Sequence, residues 1–143
     1  MNLIRMILLV ALPLISPGIG VACTCSPTST SQMSFDQSDI VFQGELIDHK
    51  GNLAIFRVHD YWKGNLESLV AVEWRRGDRG DCDGFWLRDL KVGKDLLVFA
   101  KLGRDGVYRT SICLPTGPAA DSRRIIQELG PGNHNPAKSD AAH

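Results

Sequence analysis

Asp95-Leu96-Leu97-Val98-Phe99-Ala100-Lys101-Leu102 reads as a strand whose five central residues are all apolar. A strand with one wet face alternates apolar and polar residues, and one that does not alternate is covered on both sides. This segment is therefore expected to be the most buried strand of the domain. Gly93-Lys94 leads into it, residues 103–106 form a hairpin turn, and residues 107–113 are the next strand.

Three strands precede it. Residues 40–48 place Ile40, Phe42 and Leu46 on one face, with Gly44 marking a bulge or sharp bend. His49-Lys50-Gly51-Asn52 is a hairpin turn into residues 53–62, where Ala54, Phe56, Val58 and Trp62 alternate inward. Lys63-Gly64-Asn65 turns the chain again, and residues 69–75 carry Val70, Val72 and Trp74 on one face. A long glycine-rich excursion, 76–93, holds Cys82. Residues 26–34 read as an extended Ser/Thr-rich surface segment, and residues 34–39 as one helical turn anchored by Phe35. Residues 121–129 suit a short helix capped by Asp121 or Ser122, with Ile125, Ile126 and Leu129 inward and Gly130-Pro131 as its stop. The polar tail, 131–143, is expected to be disordered. Five strands, a long loop after the third and a terminal helix predict an all-β fold, a five-stranded Greek-key OB-fold barrel. A β-sandwich usually needs about seven strands.

The chain has 143 residues, enough for one domain, with 16 basic and 16 acidic residues. That balance implies neither nucleic-acid binding nor an acidic substrate. Residues 1–22 have the form of a signal peptide: Arg5, then an apolar run broken by Pro13, then Gly20-Val21-Ala22 with small residues before Cys23. Pro13, Pro17 and Gly18 interrupt the roughly 20 apolar residues that a membrane span needs, so no transmembrane segment is expected. Cleavage would give a secreted or periplasmic chain that begins at Cys23 and comprises a domain, 23–130, and the tail. Gly20-Val21-Ala22-Cys23 also has the form of a weak lipobox, with Gly where leucine is usual; read that way, Cys23 carries a lipid.

All four cysteines, Cys23, Cys25, Cys82 and Cys113, lie in the exported part, and an even count in an oxidising compartment reads as two disulfides. Joining Cys23 to Cys25 would close a very tight ring, which leaves two pairings open. Each bridge in either pairing closes a loop of roughly sixty or roughly ninety residues and stabilises by at most about 4–5 kcal/mol. A four-cysteine zinc site lacks its usual ligand spacing, and no metal or other cofactor is expected.

Other motifs carry bland readings. Arg76-Gly77-Asp78 and Arg79-Gly80-Asp81 make a charged, glycine-rich turn rather than a receptor ligand. His49, His59, His134 and His143 form no ligand cluster, and His59 is expected on an outward strand face. Trp62, Trp74 and Trp86 suit a core, although Trp86 lies in the long loop. Arg75, Arg76 and Arg79 hint at the nucleic-acid use of OB-folds, against which export and neutral charge argue. No nucleophile or acid–base constellation is visible, so the expectation is a monomeric binding module with a protein partner, not an enzyme.

The ordered set Cys23-Thr24-Cys25-Ser26-Pro27, Ser38-Asp39-Ile40-Val41-Phe42, Trp62-Lys63-Gly64, Cys82, Gly93-Lys94-Asp95-Leu96-Leu97-Val98-Phe99 and Thr110-Ser111-Ile112-Cys113 resembles the netrin-like domain of the tissue inhibitors of metalloproteinases. The resemblance spans residues 23 to about 116 and implies an OB-fold, with Cys23 paired to Cys82 and Cys25 to Cys113. It also implies a mechanism: the α-amine and carbonyl of the first cysteine, here Cys23, chelate a metalloproteinase's catalytic zinc in trans. Thr24 would then point into the enzyme's specificity pocket, with Cys25, Ser26 and Pro27 completing the contact. The chain departs from the family in lacking a third cysteine pair, the second domain of the animal members and a further cysteine after Pro27. The alternative is a periplasmic or lipid-anchored domain that binds an envelope protein without inhibiting a protease.

Overall fold

The computed structural model describes residues 25, 30–74 and 91–134. Its elements, in order, are α1 (Ser31–Gln37), β1 (Ile40–Lys50), β2 (Leu53–Lys63), β3 (Leu69–Glu73), β4 (Asp95–Leu102), β5 (Tyr108–Arg109), β6 (Gly117–Pro118), α2 (Arg123–Leu129) and β7 (Asn133–His134). β1 pairs antiparallel with β2 and with β4, β2 with β3, and β4 with β5. A parallel pairing of β3 with β5 closes the circuit, giving the five-stranded OB-type barrel that the sequence predicts.

Two apolar layers explain why β4 does not alternate. Leu96, Val98 and Ala100 point into the barrel with Ile40, Phe42, Leu46, Phe56, Val58 and Val72. Leu97 and Phe99 point the other way, with Val41 and Leu114, and are covered by Phe35 of α1 and by Ile125, Ile126 and Leu129 of α2. The two short helices thus form a second layer over one side of the barrel.

Two sequence expectations fail where the β1–β2 register shifts, once at His59 and again at Trp62. Gly44 faces Val58 while Gln43 faces Asp60, so His59 is an extra residue in β2. Beyond it the alternation changes phase. Tyr61 packs against the barrel interior, and Trp62 joins the outer layer rather than following Ala54, Phe56 and Val58 inward. His59, expected on an outward face, is 6 % exposed, with Nδ1 3.3 Å from Asp95 Oδ1.

Other elements differ in length for identifiable reasons. α1 starts before the expected turn because Thr30 caps it, its hydroxyl accepting from the Met33 N–H at 3.2 Å. It ends before Asp39 because Ser38 is extended and its hydroxyl donates to the Ser34 carbonyl at 2.8 Å. The expected strand 107–113 shortens to two residues, because Thr116 replaces strand pairing along the middle of β4. The Phe99 N–H donates to Thr116 Oγ1 at 2.9 Å, and the Thr116 hydroxyl reaches the Phe99 carbonyl at 3.2 Å. β6 then takes up Leu96 and Leu97.

The tail departs from expectation at its start. β2 leaves β3 beyond Arg57, and Asn133 and His134 pair with the free edge at Tyr61 and Asp60. Gly132 lies against the Trp62 ring, where a Cβ would come within 3.1 Å. Residues 135–143 lie outside the described residues.

β1 and β2 approach each other closely at Gly44. A Cβ there would stand 2.6 Å from the Arg57 carbonyl oxygen and 3.3 Å from the Phe42 ring. Gly44→Ala is expected to cost about 1–3 kcal/mol by forcing the strands apart. Urea unfolding measures this, and an unchanged midpoint would show that the strands can separate freely.

Candidate functional site

The N-terminal segment meets the barrel at Cys25, which is bonded to Cys113 across 88 residues of sequence, with a Cα–Cα distance of 5.1 Å. Of the two pairings that the residues left open, this is the one the resemblance implies. Both cysteines are half-buried. Cys113 sits in the tight turn after β5, where the Leu114 N–H donates to the Ser111 carbonyl at 2.9 Å. Cys23, Thr24, Ser26, Pro27 and Cys82 lie outside the described residues, as do Trp86, His143 and both Arg-Gly-Asp tripeptides.

α1 follows this segment and is held at its other end by motifs whose role the sequence did not disclose. Lys63 donates to the carbonyls of Phe35 at 2.9 Å and Asp36 at 3.1 Å, and its ammonium lies 5.1 Å from the centre of the Phe35 ring. A cation there faces the partial negative charge of the helix C-terminus. Gly64, at φ +91°, packs where a Cβ would come 2.7 Å from Ile40 Cγ2. Trp62 Nε1–H donates to the Gly130 carbonyl at 2.8 Å, which fixes the end of α2. The Ser-Asp entry to β1 is a clasp on β4: the Asp39 N–H donates to the Ala100 carbonyl, and Asp39 Oδ2 accepts from the Leu102 N–H at 2.7 Å.

A cleft of about 410 Å³ opens between α1, the end of β4 and the Cys113 turn. Met33, Ser34 and Gln37 line it from α1, Lys101 and Leu102 from β4, and Arg109 from β5. The Arg109 guanidinium is already engaged, with Asp105 at 2.8 Å through Nη1 and with Glu73 through Nε. Arg109 faces Glu73 across the parallel β3–β5 pair, so this ion cluster sits where the barrel closes. The Arg109 hydrogen bond, and then the Val107 N–H, hold the Asp105 carboxyl well below the usual carboxylate range. Asp105 in turn raises the Arg109 guanidinium above its ordinary value. The cleft escaped the sequence reading because its walls come from three distant stretches.

Among the described residues, no group of His, Cys, Asp and Glu is arranged to hold a metal ion, and no helix is long and apolar enough to cross a membrane. His134 Nδ1 lies 2.9 Å from Asp60 Oδ1 in the β7 strap, and the His49 ring meets Trp74 edge-on at 6.0 Å. Comparison of the chain with protein-family models and with curated proteins finds no match.

Two outcomes follow. Replacing Cys25 and Cys113 together by alanine should lower the unfolding free energy by up to about 4–5 kcal/mol, read by urea titration of the oxidised chain. A loss under about 1 kcal/mol would mean that the cross-link restrains only the N-terminal segment. The second concerns acid. A carboxyl whose folded pKa is depressed stabilises above its unfolded value, about 3.9, and the stabilisation is lost as pH falls towards the folded value. The melting temperature of Asp105→Asn should therefore lie below that of the parent at neutral pH, and the gap should narrow below about pH 4. A gap independent of pH would contradict the ion-pair account.

Proposed function

We propose that the chain is an exported binding module resembling the tissue inhibitors of metalloproteinases, whose mature N-terminal cysteine, Cys23, chelates a target's catalytic zinc. The observation that carries this reading is the Cys25–Cys113 bond. It fixes the third residue of the cleaved chain to a closed barrel, in the pairing that the resemblance implies.

The chemistry needs little beyond a presented chain end. A catalytic zinc keeps one position open for water. The α-amine and carbonyl oxygen of one residue form a five-membered chelate that fits there and displaces that water. An α-amine titrates at about 7.7–8.0, so the neutral, ligating form is accessible near neutral pH. A tip already tied down by oxidised sulfur loses less conformational freedom on binding than a free one. Thr24 would enter the specificity pocket, with Cys25, Ser26 and Pro27 alongside it.

In this reading the module acts by binding rather than by catalysis. Thr24, next to the chelating residue, is the side chain expected to set target preference.

The test is a one-residue extension. The oxidised chain starting at Cys23 should inhibit at least one member of a panel of zinc metalloproteinases. The same chain with one alanine added before Cys23 should lose at least roughly a hundredfold, because its amine can no longer reach the metal; one such contact is worth several kcal/mol. Equal inhibition by both forms would rule out the zinc wedge and favour the envelope-binding reading, in which the amine has no role.

A further inference from the structure

We draw no further inference here: the strongest candidate, the outward sheet face of β2 and β3 where Leu53 and Leu69 are exposed beside the Ile55–Ala71 pair, has no element packed over it among the described residues, and nothing in the structure shows what covers it.

Discussion

The cross-link between Cys25 and Cys113 is the constraint on which the account depends. Among the described residues, no other cross-link ties the segment that precedes α1 to the barrel. An isolated helix of seven residues is not stable in water, because nucleation costs more than so few hydrogen bonds return. α1 persists because it is held from outside: by its Thr30 cap, by the Lys63 ammonium on its last carbonyls, by the Ser38 hydroxyl and by Phe35 in the outer layer. The disulfide and these contacts fix the chain on both sides of residues 26–29.

The barrel provides the rigid body to which this segment is tied. β5 is joined to each of its barrel neighbours by only two residue pairs; in the parallel seam with β3 these are Val72 with Tyr108 and Glu73 with Arg109. Charge reinforces that seam, with Arg109 held between Glu73 and Asp105.

Much of this architecture was legible in the chain. β4 announced itself because five consecutive apolar residues have no other good use, and Gly44 marked the close approach of β1 and β2. The phase of β2 was not legible. Whether Trp62 or Tyr61 turns inward depends on an extra residue, His59, and a bulge is a property of two paired strands rather than of one sequence. The short β5 was hidden for a similar reason, since a threonine side chain, Thr116, stands in for a strand along β4. The start of α1 was obscured by a run of hydroxyl residues, Thr28-Ser29-Thr30-Ser31, any of which could cap a helix. Lys63 looked like part of a turn, and only the fold brings it to the end of α1. The disulfide partner of Cys25 was undecided by spacing and rested on the family resemblance.

The central claim is that the working chain presents a free Cys23 amine on a segment locked by the Cys25–Cys113 bond. Mass spectrometry of the protein purified from its own host, intact and after digestion without reduction, tests it most directly. The account predicts a chain whose first residue is an unmodified Cys23, with no free thiols and with the peptides of Cys25 and Cys113 linked. A different first residue, an acylated or lipidated Cys23, or Cys25 bonded elsewhere would contradict it.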